Sequence, residues 1–102
     1  MSLAHILVVD DEADIRDTLR EILGEEGYEV DVAANAAEAR QLRARGDPDL
    51  VLLDIWMPDT DGITLLREWS ENRQLSFPVV MLSGHGTVET AGGALVTIAS
   101  TM

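Results

Sequence analysis

Two apolar runs of strand length, each closed by acid, constrain this chain more than anything else in it. Ile6-Leu7-Val8-Val9 ends on Asp10 and Asp11, and Leu50-Val51-Leu52-Leu53 ends on Asp54. Charge at those places has no simple packing role. In an open parallel sheet, ligands bind outside the carboxyl ends of the strands, so carboxylates at two such ends can converge on one crevice. Three carboxylates in one crevice repel, raise each other's pKa and demand a cation. All-oxygen ligands that keep some water suit magnesium. Carboxylates are also favoured at helix N-termini, so capping stands beside metal binding as a reading of Asp10-Asp11.

Apolar strand-length runs alternate with helix-period segments in the order βαβαβαβα, which favours an α/β fold with a parallel sheet flanked by helices. A first strand near His5 to Val9 is followed by a helix whose Ile15, Leu19, Ile22 and Leu23 are spaced to form one buried stripe, ended by Gly24 and Gly27. A short strand from Glu29 to Ala33 leads to Asn35, which with Glu38 three residues on resembles a capping box. Asp47-Pro48 breaks the chain before the third strand. Ile63, Leu66 and Ser70 set the inward side of a third helix over about Asp61 to Asn72, with Leu65 and Trp69 as a neighbouring apolar pair. Pro78 opens a fourth strand, Val79 to Leu82.

The C-terminal part departs from this order. From Thr90 to Met102 there is no charged residue, although charged residues make up 25% of the chain. Gly92-Gly93 falls where a helix begun near Thr87 should continue, and each glycine costs a helix interior roughly 1 kcal/mol relative to alanine. Ala94 to Ala99 is compatible with a replacement strand, a frayed helix end or a misregistered tail.

A length of 102 residues allows one domain, spanning 1–102. With 19 acidic against 7 basic residues and a formal net charge of -12, nucleic acid and anionic membrane surfaces are poor direct partners, leaving cations and proteins. The absence of cysteine excludes disulfides and thiolate metal sites and is compatible with a cytoplasmic location. No run reaches transmembrane length, and the start lacks the features of a secretory signal.

The strand-end acids belong to a longer pattern: Val8-Val9-Asp10-Asp11-Glu12, then Leu52-Leu53-Asp54-Ile55-Trp56-Met57-Pro58 with Asp61-Gly62, then Val80-Met81-Leu82-Ser83-Gly84-His85-Gly86. In this order, from about Ile6 to Ala91, these segments resemble the receiver domain of bacterial two-component response regulators. Ser83 to Ala91 looks most like receivers of the nitrogen-regulation activators (NtrC and NtrX type), in which an ATPase module and a DNA-binding module follow. The resemblance implies a flavodoxin-like doubly wound parallel sheet in the order 2-1-3-4, with the fifth strand and fifth helix missing or altered.

It also implies roles. Asp54 would be the phosphoacceptor, attacking a phosphohistidine of a histidine kinase, and Ser83 would donate its hydroxyl to a phosphoryl oxygen. Mg²⁺, for which Mn²⁺ or Ca²⁺ can substitute, would be held by Asp11, Asp54 and the main-chain carbonyl of Trp56, with Asp10 acting through water. Met57, Pro58, Gly84 and His85 would flank the site. Bulky Trp56 would screen the phosphoryl group from water. Such a domain is no enzyme beyond its own phosphorylation and dephosphorylation, and it would control a transcription-activating module absent from this chain.

A complete receiver continues into a fifth strand ending in Lys-Pro and a fifth helix, whereas this chain contains no lysine. The expectation is a receiver truncated or altered after about residue 91, with apolar surface uncovered on strands one and four and on the first helix, through which copies could associate. Two functional readings remain open. One is a phosphoacceptor switch sensed on its fourth helix. The other is a receiver-like interaction or dimerisation module that binds metal but does not switch. A phosphatase of the haloacid dehalogenase type would want a carboxylate two residues after the nucleophile, where this chain has Trp56.

Overall fold

The acid-closed apolar runs lie side by side in the middle of one sheet. The computed structural model describes residues 4–57, 59–71, 77–83, 87–91 and 94–100. Along the chain come β1 (His5–Val9), α1 (Ala13–Glu25), β2 (Glu29–Ala33), α2 (Ala36–Ala44), β3 (Leu50–Asp54), α3 (Gly62–Glu71), β4 (Val79–Ser83), β5 (Thr87–Ala91) and β6 (Ala94–Ser100). The spatial order is β2-β1-β3-β4-β6-β5. Its first four strands are parallel in the order 2-1-3-4, the doubly wound flavodoxin-like arrangement. Val9 pairs with Leu53, so the acids that follow them leave the sheet at adjacent strand ends.

Why these segments become these elements follows from burial and capping. Leu7, Val9, Val51, Leu53, Val79 and Met81 are buried along three neighbouring strands, and Leu65, Leu66 and Trp69 of α3 close over them. Full burial of a side chain such as Leu66 stabilises by roughly 1.5–3 kcal/mol. Ser70, also buried on α3, satisfies its hydroxyl by donating to the Leu66 carbonyl at 2.7 Å. Trp69 meets Phe77 edge to face at 5.9 Å, and the Arg43 guanidinium of α2 lies 5.1 Å and 5.0 Å from the two ring centres.

The helix ends match the sequence signals closely. Gly27, at φ 94°, takes the left-handed position after α1; its N–H donates to the Gly24 carbonyl at 3.0 Å and that of Tyr28 to Leu23 at 3.2 Å, a Schellman closure. Asn35 caps α2, accepting from the Glu38 N–H at 2.8 Å. Glu38 reaches back to the N–H of Ala34 at 2.7 Å, one residue before the cap where a capping box would use Asn35 itself.

Three expectations need correction. The stripe on α1 is only half-buried at Ile15, Leu19 and Leu23, and Ile22 is 52% exposed. At 3.6 residues per turn Ile22 falls at the margin of the arc holding the other three, and the helix is rolled away from it.

Secondly, the fourth helix expected from Thr87 is a strand. β5 runs antiparallel to β6, and Ala91 pairs with Ala94, which leaves two residues between the strands. The β-branched Thr87, Val88 and Thr90 and a Gly-Gly dipeptide are the composition of a two-residue hairpin, and here they prevail over the helix. Of the three readings of residues 94–99, the structure takes the replacement strand: β6 pairs in parallel with β4 in the slot beside it.

Thirdly, that pairing covers the β4 edge, and Ile6 to Val9 of β1 are buried, so the surface expected to lie bare on strands one and four is covered. On α1 no residue is fully buried. Among the described residues no helix is long and apolar enough to cross a membrane.

Candidate functional site

Asp10, Asp11 and Asp54 converge as the strand ends require: one carboxylate oxygen from each lies within 4.8 Å of the others. Asp10 is buried, Asp54 half-buried and Asp11 exposed. Asp10 is fixed from three sides. Its N–H donates to the Ala33 carbonyl at 3.0 Å, its own carbonyl accepts from Arg16 Nη1 at 2.8 Å, and its Oδ1 accepts the Glu12 N–H at 2.8 Å. The last bond is an Asx-type turn at the entry to α1; the cap position itself is held by Glu12, with no side-chain cap bond. Burial raises the Asp10 pKa above its ordinary value; the Glu12 N–H works against this, the charges of Asp11 and Glu12 with it, and Arg16 against it.

Asp54 is pushed up to about 6. Burial is the largest cause, opposed by the Trp56 N–H, which donates to Asp54 Oδ1 at 3.2 Å. The charges of Asp10 and Asp11 and a hydrogen bond with Asp11 raise it further. Three carboxylates this close, two of them with raised proton affinity, are a ligand set that could hold a hard divalent cation.

The loop after β3 frames this cluster. The Ile55 N–H donates to the Leu82 carbonyl at 3.3 Å, and the Gly62 N–H closes back on the Ile55 carbonyl at 2.8 Å. Gly62 is packed against backbone: a Cβ there would lie 2.2 Å from the main-chain oxygen of Asp54, so any larger residue forces a shift. Trp56 is 72% exposed, while Met57 is half-buried against the core. Asp61 caps α3 by accepting the Thr64 N–H at 2.8 Å and its hydroxyl at 3.0 Å, bonds that hold its carboxyl below the usual range.

Asp59 projects to the other side. Its two carboxylate oxygens each accept a main-chain N–H at the start of α2, from Ala36 and Ala37, at 3.2 Å. Desolvation is the largest single influence and opposes ionisation there, but together the donors at Ala36, Thr60, Ala37 and its own amide hold the carboxyl below its ordinary pKa.

Of the residues named from sequence, the structure brings Asp10, Asp11 and Asp54 together and sets Trp56 and Met57 on the adjoining loop. Ser83 ends β4, one residue past Leu82, the partner of Asp54, and stands in register with Ser100 of β6. Pro58, Gly84 and His85 lie outside the described residues. Asp59 was not among the candidates, because its partners are more than twenty positions away and nothing local marks it. The closeness of Gly62 to Asp54 had a signal in the Asp61-Gly62 pair.

The model of the response regulator receiver domain family matches residues 6–102. An NtrX-like response regulator of Rickettsia bellii is 43% identical over 97 residues, which cover 93% of this chain and 20% of that protein. NtrX from Brucella abortus superposes with a TM-score of 0.81 at 42% identity, over 99% of this chain and 23% of that one. The response regulator TrrA of Thermotoga maritima, crystallised in complex with Mg²⁺-BeF, gives 0.73 at 41% identity, over 81% and 71%. The chain thus spans about a fifth of the length of the curated relatives it matches. A parallel 2-1-3-4 sheet, acids gathered at the ends of β1 and β3, and a family match running nearly end to end agree: this chain belongs to the response regulator receiver domains.

Proposed function

We propose that this chain is the phosphoacceptor domain of a cytoplasmic two-component response regulator, with Asp54 receiving a phosphoryl group from a histidine kinase to control a transcription-activating module. The observation that carries this is the convergence of Asp10, Asp11 and Asp54 at adjacent strand ends. A carboxylate oxygen of Asp54 attacks the phosphorus of phosphohistidine and the P–N bond breaks. The electron pair leaves with the imidazole nitrogen, which is protonated, and an acyl phosphate remains on Asp54. With a pKa of about 6, Asp54 is mostly ionised at neutral pH and competent to attack.

The donor set fits Mg²⁺, with Mn²⁺ or Ca²⁺ as substitutes: Asp11, Asp54 and the Trp56 carbonyl would hold it and Asp10 would act through water. Bound there, the ion would neutralise charge on the phosphoryl oxygens, the main requirement of this transfer. TrrA, a relative of this chain, was crystallised with Mg²⁺-BeF, which supports the assignment. Ser83 would donate its hydroxyl to a phosphoryl oxygen, with Met57, Pro58, Gly84 and His85 bordering the group.

A second reading has its own support. The chain has no lysine, and Thr87–Ala91 is a strand where a partner-sensing helix was expected. This favours a receiver-like module that binds metal without switching.

Intact mass after incubation with acetyl phosphate decides between them. Gain of one phosphoryl group that requires both Mg²⁺ and Asp54, and is lost in Asp54→Asn or with chelator, supports the phosphoacceptor. No gain with Mg²⁺ binding retained supports the second reading.

A further inference from the structure

The two strand ends that carry the acids are joined through a third place, the turn from β2 into α2. On one side, the Ala33 carbonyl at the end of β2 accepts the N–H of Asp10 at 3.0 Å. Three residues on, the first two N–H groups of α2 are taken by the carboxylate of Asp59, from the loop that follows Asp54. The same helix sends Arg40 across to α3, where it grips Glu68 through two bonds of 2.8 and 3.0 Å and touches the Thr60 hydroxyl of the loop at 3.5 Å. At its base the loop is closed by the bond between Gly62 and Ile55. Farther along, Asp59 bonds the main chain of α2, beside the weaker contact of Thr60 with Arg40. Between these two anchors lies Trp56, whose N–H is bonded to the Asp54 carboxylate.

We propose that Asp59 is a positioning residue for the acid site: by bonding the start of α2 it fixes the loop carrying the main-chain groups of Trp56 relative to Asp10 and Asp54. This rests on the metal-binding reading of the site and adds a residue to it. Asp59 touches none of the three acids; its effect passes through the backbone. The Asn35 side chain occupies the Glu38 N–H, so α2 is capped without Asp59. The long-range bonds from Asp59 therefore bear on where the loop sits more than on whether the helix forms.

The test compares the full chain with Asp59→Ala, Asp59→Asn and Ala39→Gly. The last loosens the middle of the same helix while leaving its N-terminal bonds in place. Two quantities are read: the Kd for Mg²⁺ by calorimetry, and hydrogen exchange at the Trp56 amide without metal.

Asp59→Ala should weaken Mg²⁺ binding at least threefold and speed exchange at Trp56 at least fivefold. Asp59→Asn, which keeps an acceptor oxygen, should recover part of both, and Ala39→Gly should lower the melting temperature with neither change. If Asp59→Ala follows Ala39→Gly in both measurements, Asp59 is only a helix cap and the proposal is wrong. Should the wild type bind no Mg²⁺, the proposed function fails, while the exchange rates still decide whether Asp59 positions the loop.

Discussion

Gly62 offers a sharp test of how the acid site is held. Its neighbours leave no room: a Cβ would stand 2.2 Å from the Asp54 carbonyl oxygen, 2.9 Å from the carbonyl carbon and 3.0 Å from Ile55 Cα, where ordinary contact begins at 3.4 Å. In Gly62→Ala, α3 and the end of β3 must therefore separate by about 1 Å, and all three of these obstacles are backbone atoms, which cannot rotate aside as a side chain can. Overpacking of this kind costs roughly 1–3 kcal/mol, and alanine's helix preference returns at most about 1 kcal/mol of it. The net expectation is a loss of about 1–2 kcal/mol in urea denaturation. The larger effect falls on chemistry, since a displacement of about 1 Å at a reacting group can cost on the order of 100-fold in rate. Phosphorylation by acetyl phosphate, followed by intact mass, should slow by at least tenfold. Gly24→Ala is the matched control: nothing lies within 4 Å of its Cβ position in α1, so it should be neutral to stabilising, by up to about 1 kcal/mol, with phosphorylation unchanged. If Gly62→Ala is as stable as Gly24→Ala and is phosphorylated at the wild-type rate, the close approach of α3 to Asp54 does not set the site.

Three other outcomes are expected. Because the folded chain holds the Asp54 proton up to about pH 6, against about 3.9 when unfolded, the metal-free protein should lose stability as pH rises from about 4 to 6 and level off above. After allowance for solvent screening the loss is about 1–2 kcal/mol; urea melts in chelator should show it, and a slope unchanged in Asp54→Asn would assign it elsewhere. Arg43→Ala removes the cation lying against Trp69 and Phe77 and should cost about 1–2 kcal/mol in thermal unfolding, while an unchanged melt would make that stacking incidental. If the Trp56 indole screens the phosphoryl group, Trp56→Ala should shed phosphate several-fold faster in a phosphate-release assay, and slower release would reverse its assigned role.

What could be read from the residues was set by how local the physics is. β1 and β3 are continuous apolar runs because both faces of a central parallel strand are covered, and an acid after such a run stands out at once. Asn35 and Glu38 act within four positions of each other, so their cap was legible, although the back-bond went to Ala34 instead of Asn35. Asp59 was illegible for the opposite reason: its partners sit on α2, brought near only by the fold. The C-terminal error had another source. The alternating βα order set a helix at Thr87 against local signals for strand, and the β-branched residues of Thr87–Ala91 followed the local signals into a hairpin. The roll of α1 that exposes Ile22 depends on what packs over that helix, which periodicity alone does not encode.

The sheet ends in two unlike borders. At one, β2 turns the acids Glu29 and Asp31 to solvent; at the other, β5 carries Glu89 as its only charge. Strands added at the first border would bring carboxylates against carboxylates, a repulsion of the kind that blunts sheet edges. Among the described strands, pairing between copies is therefore less opposed at β5 than at β2, and two copies joined there about a twofold axis would leave the more acidic borders outermost.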